Sequence, residues 1–373
     1  MAKKTIKIPK ETKTNVTQPQ KYHFKNLVFE GGGVKGIAYV GALEVLEEEG
    51  ILKNIERVAG TSAGAMIAVL VALGYTPKEI SEILWDINFK RFMDSSWGIV
   101  RDINRLIKDF GWYKGDHFRD LMADYIERKT QNGEITFEEL AKNKKYSELH
   151  LIGADLSTGL AKVFNATNTP KVKVADAARI SMSIPLFFAA VKGVEGDGHV
   201  YVDGGLLNNY AIKTFDRNDF VEDQANARRT AYYEKINERI KQMAPPKLND
   251  VTDKVELDDN YEYIYNKETL GFRLDSKDEI EMYLNPDAQH PAKEIKTFFS
   301  YTKSLINTLI DFQNNVHLHS DDWQRTIYIN TLGVEATDFN ISDTKKEQLV
   351  EAGRGFTETY LEWYNNDEEK ANK

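Results

Sequence analysis

Ile55-Glu56-Arg57-Val58-Ala59-Gly60-Thr61-Ser62-Ala63-Gly64 is the stretch on which the fold turns. Residues 55–59 are short and partly β-branched, which reads as a strand. From 63 to 73 the chain is an almost unbroken, Ala-rich apolar run closed by Gly74, which reads as a buried helix. A serine in Gly-x-Ser-x-Gly, on a turn between strand and helix, has the context of a nucleophile elbow. Gly60 and Gly64 let the chain turn sharply, so the Ser62 hydroxyl projects clear of its own backbone. The helix that follows aims its positive end at negative charge forming near Oγ. Together these features point to acyl transfer with Ser62 as the nucleophile.

The neighbouring segments extend the pattern. Asn26-Leu27-Val28-Phe29 reads as a buried strand, and residues 34–49 as a helix ended by Gly50. Thr76-Pro77-Lys78-Glu79 opens another helix, with Pro at the first helical position and a Thr-x-x-Glu capping box. The order βαβα is that of a parallel sheet covered by helices, an α/β fold. Residues 149–154 and 161–164 read as strands joined through Ser157-Thr158-Gly159. His199-Val200-Tyr201-Val202 is a short strand running into Asp203-Gly204-Gly205, and residues 325–329 read as one more. Long helices are expected over 292–314 and 343–365.

Bulk properties narrow the class. The chain has 373 residues, 41% of them apolar, enough for a substantial core. No apolar run approaches the roughly 20 residues of a spanning helix. A net charge of −9 argues against nucleic acid as a partner. With no cysteine, disulfides, thiolate catalysis and Cys-based zinc sites are excluded, and a reducing, cytoplasmic compartment fits. Residues 1–23 carry Lys3, Lys4, Lys7, Lys10, Lys13 and Lys21 against Glu11 alone, without the apolar segment of a signal peptide. They are expected to be a disordered basic tail, and residues 367–373 a disordered tail. Residues 24–366 are expected to form one domain with insertions near 88–118 and 216–262. The first is aromatic-rich with helical spacing, which suits a lid or acyl-chain wall at a bilayer surface and suits ordinary core packing equally. The second is highly charged and reads as a surface insertion.

Gly31-Gly32-Gly33-Val34-Lys35-Gly36 satisfies Gly-x-Gly-x-x-Gly between a strand and a helix, so a dinucleotide site must be weighed. Such a site wants an acid at the end of the second strand, where Ala59-Gly60-Thr61-Ser62 has none. A P-loop closes on Gly-Lys-Ser/Thr, and Lys35-Gly36-Ile37 has the order wrong. The remaining reading is an oxyanion hole, in which Gly31, Gly32 and Gly33 offer uncrowded backbone N–H groups. A serine also needs a base. None of the seven histidines lies in a recognisable triad motif. Asp203 is the better candidate, because it stands at a strand end before two glycines and is ionised at neutral pH without tuning.

In this order, Gly31–Gly36, Gly60-Thr61-Ser62-Ala63-Gly64 and Asp203-Gly204-Gly205 resemble the motifs of the patatin-like phospholipases. Residues 154–159, 178–188 and 269–275 are similar to further segments of that family. The resemblance implies a three-layer α/β/α sandwich with a mostly parallel central sheet, and a Ser-Asp dyad that cleaves lipid acyl esters. Carried over, Ser62 is the nucleophile and Asp203 the base, with Gly31, Gly32 and Gly33 at the oxyanion. Lys35, Gly36, Gly60, Gly64, Gly204 and Gly205 support these motifs. The implied substrate is a phospholipid or lysophospholipid met at a peripheral membrane surface, with no cofactor, no metal and no nucleic acid. A protein activator and delivery as a secreted bacterial effector stay open. So do two other readings: a serine esterase using His290, His317 or His319, and a nucleotide-binding module using Gly31–Gly36.

Overall fold

The computed structural model describes residues 22–87, 108–243, 262–276, 294–297, 300–301, 304–306, 308–310 and 321–366. In chain order the strands are β1 (Asn26–Phe29), β2 (Arg57–Thr61), β3 (Gly111–Tyr113), β4 (Glu148–Asp155), β5 (Leu160–Phe164) and β6 (Leu186–Phe188). There follow β7 (Val191–Lys192), β8 (Val200–Asp203), β9 (Ala227–Arg228), β10 (Tyr265–Asn266), β11 (Thr269–Asp275) and β12 (Thr326–Asn330). The helices are α1 (Tyr39–Glu48), α2 (Ala63–Ala72), α3 (Pro77–Asp86), α4 (Asp116–Thr130), α5 (Phe137–Lys142) and α6 (Val174–Ser181). Three more close the set: α7 (Gly205–Asn208), α8 (Ala231–Met243) and α9 (Asp343–Asn366).

The main sheet runs β12-β11-β1-β2-β4-β8-β7, with β5 along β4. The five strands from β12 to β4 are parallel, whereas β5, β7 and β8 pair antiparallel. Period-two alternation decides what each face of the sheet buries. Leu27, Phe29 and Val58 join the large core with α1, α2 and α9, while Val28 and Ala59 meet Tyr210, Ile212 and Phe215 on the other side. A thin layer of turns, Ile212–Phe215 and Asn218–Phe220, covers that second face. The fold is the α/β class expected, a mostly parallel sheet flanked by helices.

Local departures have local causes. The helix expected over 34–49 opens as a 3-10 turn, Gly33–Ala38, before α1 begins. Gly33 and Gly36 are poor α-formers, and the Val34 N–H is drawn outward to the Ala336 carbonyl at 3.0 Å. β2 lies two residues later than its expected start because register with β1 fixes it, Asn26 opposite Arg57 and Phe29 opposite Gly60. The capping box at Thr76 is formed, and α3 follows it. The folded chain begins before residue 24: Tyr22 is buried, and the His23 ring bonds the Lys267 carbonyl and Tyr364. Residues 1–21, 88–107, 244–261 and 367–373, with much of 292–314, lie outside the described residues.

The stretch 216–262 does not open as a surface insertion. Asp216 is fully buried and receives Arg325 in a two-point pair at 2.5 and 2.6 Å. Arg325 also donates to Asp322 at 2.7 Å, Tyr233 donates its hydroxyl to Asp216, and the Tyr265 ring lies against the guanidinium. These ties dock α8 and β12 onto the middle of the chain. Breaking one partner of a buried pair leaves its charge uncompensated. Asp216→Ala is therefore expected to lower stability by about 3 kcal/mol in urea unfolding; a loss below about 1 kcal/mol would show that the cluster does not hold these segments together.

Candidate active site

Register brings Ser62 and Asp203 together. β4 has two edges. Along one lies β5, with Val163 opposite Ile152 and Lys162 opposite Gly153. Along the other, β2 arrives parallel and ends with Thr61 opposite Ile152, and β8 arrives antiparallel and ends with Asp203 opposite Gly153. Two strand termini therefore meet head to head, and the residue after Thr61 faces Asp203. The Ser62 hydroxyl donates to Asp203 Oδ2 at 2.7 Å. β8 reaches this point from the direction opposite to the parallel strands, so the end of β8 meets the carboxyl end of β2 and sets Asp203 there.

Ser62 holds the strained turn that its position demands, with φ 53° and ψ −126° at the N-cap of α2. A non-glycine residue adopts positive φ only where its surroundings enforce it. Its amide donates to Ser181 Oγ at 2.9 Å, and Ser181 in turn donates to the Ile152 carbonyl at 2.6 Å. Ser181, at the end of α6, thus fills the gap in the ladder where two strands stop. Gly60 and Gly64 have no room for a side chain: one at Gly60 would strike the Gly64 backbone, and one at Gly64 the Phe29 and Glu30 carbonyls. That contact lets α2 start directly above β1.

Both side chains are nearly closed off, with Ser62 6% and Asp203 4% exposed. Burial pushes the Asp203 carboxyl up to about 7, and the hydrogen bonds from Ser62 and from the Gly205 N–H, the latter at 2.7 Å, pull back only partly. Around Ser62 Oγ the other contact is Met182 Sδ at 3.9 Å, and no imidazole bonds the hydroxyl among the described residues. His150 bonds Glu148 and Asn165, and His199 bonds Asp155 at 2.8 Å. His290, His317 and His319 lie outside the described residues.

The glycine loop lies beside Ser62, but its three amides are not equivalent. Gly31 donates its N–H to the Asn209 carbonyl at 3.2 Å, so the expectation that Gly31 offers a donor to an oxyanion is corrected. Gly32 and Gly33 donate to no acceptor among the described residues. Gly33 takes φ 54°, and its outer side is capped by the Ala336 carbonyl, while Leu274 fills the space over Gly32. Protein thus occupies the outer face of this loop. Lys35 donates to the Leu274 carbonyl at 3.0 Å, Gly36 packs on Ala63, and Gly204 lies against the Ile152 carbonyl.

Two residues escaped the sequence reading. Asn209 Nδ2 reaches both the Glu30 carboxylate and the Gly31 carbonyl at 3.2 Å, tying the turn after Asp203 to the glycine loop. Glu30, buried just before the glycines, also accepts the Leu274 N–H at 2.8 Å. The signal available was an acid placed inside an apolar strand end and an amide shortly after Asp-Gly-Gly.

The patatin-like phospholipase family matches residues 27–216, half of the chain, and spans the glycine loop, the elbow and Asp203. This chain belongs to that family. An uncharacterized Bacillus subtilis protein, YqhO, is 30% identical over 345 residues, covering 90% of the patatin-like chain and 97% of its own length. The probable lipid hydrolase 463L of Invertebrate iridescent virus 6 is 26% identical, covering 51% of this chain and 62% of that one. VipD from Legionella pneumophila shares the fold, with a TM-score of 0.50 and 18% identity over 91% of this chain and 67% of VipD.

An unfolded carboxyl titrates near ~3.9, and folded Asp203 near about 7. Between these values the folded state holds the extra proton, so stability falls as pH rises through that window and stays lower above it. Asp203→Asn has no charge to bury. It is expected to raise Tm clearly at about pH 8 and far less at about pH 4; equal shifts in thermal melts at both would contradict the burial argument.

Proposed function

We propose that this patatin-like protein is a lipid acyl hydrolase of the phospholipase A or lysophospholipase type, working through Ser62 and Asp203. The observation that carries the reading is the 2.7 Å hydrogen bond from Ser62 Oγ to Asp203 Oδ2 inside a nearly closed site. Ser62 Oγ attacks the acyl carbonyl and Asp203 accepts its proton. The carbonyl oxygen becomes an oxyanion beside the Gly32 and Gly33 amides, which are within the loop next to Ser62. Protonated Asp203 then donates to the leaving alcohol, giving an acyl-serine. Water, deprotonated by the same carboxylate, attacks that ester, and the proton returns to Ser62 as the fatty acid leaves.

The raised pKa suits this role, since a base is most effective when its pKa lies near the working pH. Strain at Ser62 fixes the hydroxyl on its acceptor without reorganisation during attack. The substrate class comes from the family and from the names of relatives such as the viral probable lipid hydrolase. A lipid is met at a bilayer or micelle surface, so peripheral contact with lipid belongs to the reading; among the described residues no helix is long and apolar enough to cross a membrane.

The test is fatty-acid release from mixed phospholipids together with fluorophosphonate labelling. Ser62→Ala is expected to abolish both, and Asp203→Asn to slow turnover by about 10²–10⁴-fold. For the wild type, kcat/KM should rise with pH and level off above about 7, because the carboxylate is the active form. Retained activity in Asp203→Asn, with loss on replacing His290, His317 or His319, would assign the base to an imidazole instead.

A further inference from the structure

Asn209, buried directly after α7, grips Gly31 from both sides. Its main-chain carbonyl accepts the Gly31 N–H at 3.2 Å, and its Nδ2 donates to the Gly31 carbonyl at 3.2 Å. Nδ2 also donates to Glu30 Oε1 at 3.2 Å, while Glu30 Oε2 is anchored by the Leu274 N–H at 2.8 Å. Turned over, the amide would set Oδ1 against the two acceptors it now serves, so its orientation is fixed. The side chain is also wedged in place: a Cβ added at Gly31 would lie 2.4 Å from Asn209 Oδ1, and one at Gly205 2.9 Å from it.

The grip on the Gly31 carbonyl has a geometric consequence. That carbonyl and the Gly32 N–H belong to one planar, trans peptide group, so they point in opposite directions. A donor held at the carbonyl therefore aims the Gly32 N–H away from Asn209, to a side where it meets no acceptor among the described residues. A peptide between two glycines meets little steric resistance to turning over. The next amide is set differently. The Gly32 carbonyl accepts the Lys35 N–H at 3.1 Å within the 3-10 turn, so main chain alone aims the Gly33 N–H.

We propose that Asn209 is a positioning residue for acyl transfer, holding the Gly31–Gly32 peptide so that the Gly32 N–H meets the oxyanion as it forms. The proposal rests on Ser62 and Asp203 being the reacting pair. A donor fixed in advance stabilises the developing charge without reorganising during the step. The same short turn serves the base, since the Gly205 N–H donates to Asp203 Oδ1 at 2.7 Å. Asp203 and the Gly32 amide are thus aligned by one element, with Glu30 steadying Asn209.

The test is steady-state hydrolysis of p-nitrophenyl butyrate by the full-length protein, with thermal melts followed by circular dichroism. Asn209→Asp removes the Nδ2 donor at constant size and is expected to lower both kcat and Tm. Combining it with Glu30→Gln returns a donor to the link between positions 30 and 209, but leaves the Gly31 carbonyl without one. This double variant should regain most of the lost Tm while kcat stays about 10²-fold below wild type and KM within about twofold. Asn209→Ser keeps the main-chain bond, falls short of the Gly31 carbonyl and adds no charge; it should show the same kcat loss and serves if the aspartate variants do not fold. Recovery of wild-type kcat together with Tm in the double variant, or wild-type kcat in folded Asn209→Ser, overturns the proposal. Hydrolysis that survives Ser62→Ala would instead overturn the reading of Ser62.

Discussion

The site depends on one shared edge. β4 accepts β2 and β8 on the same side from opposite directions, and both stop at the Ile152–Gly153 step. A hydroxyl and a carboxylate that lie far apart in sequence are thereby set against each other by backbone pairing alone. Stopping two strands in mid-ladder leaves polar backbone without its usual partners, a cost that proteins seldom leave unmet. Ser181 meets it, bonding the Ser62 amide and the Ile152 carbonyl in one chain. The carboxylate finds a fixed donor in Gly205, while Asn209 and Glu30 join the two glycine-bearing turns.

This arrangement works against the stability of the fold. It holds a serine at positive φ and a carboxylate in a closed space that disfavours its charge. Both are sustained by packing from the Ala-rich α2, which is buried along nearly its whole length, and from α6. The same desolvation that resists ionisation of Asp203 brings its affinity for protons close to neutrality. In the proposed mechanism, stability given up in the fold and readiness of Asp203 as base are therefore one effect.

Much of this was legible in the sequence because it was local. The βαβα order, the elbow at Ser62, the capping box at Thr76 and the strand running into Asp203 all rest on neighbours within a few residues. What was hidden was non-local. The direction of β8 cannot be read from Val200-Tyr201-Val202-Asp203, since a strand of either sense has the same alternation. β11 was not read as a strand in its own right, because Arg273 and Asp275 resemble solvated positions; they are buried because they pair at 2.7 Å beside Glu30. Likewise Gly31, Gly32 and Gly33 look alike as letters, and only the Asn209 carbonyl distinguishes the first of them.

Strand order carries a consequence for dissection of the chain. β1 is flanked by β2 on one side and by β11 on the other, with β12 beyond. The segment 27–216 contains every motif residue yet lacks both of those outer strands, the Ala336 cap and the Arg325 partner of Asp216. Excised by itself, it would present Leu27–Phe29 as a bare, apolar border and strand a buried carboxylate. The recognisable half of this molecule is thus a subassembly that leans on strands, a cap and an ion-pair partner lying outside it.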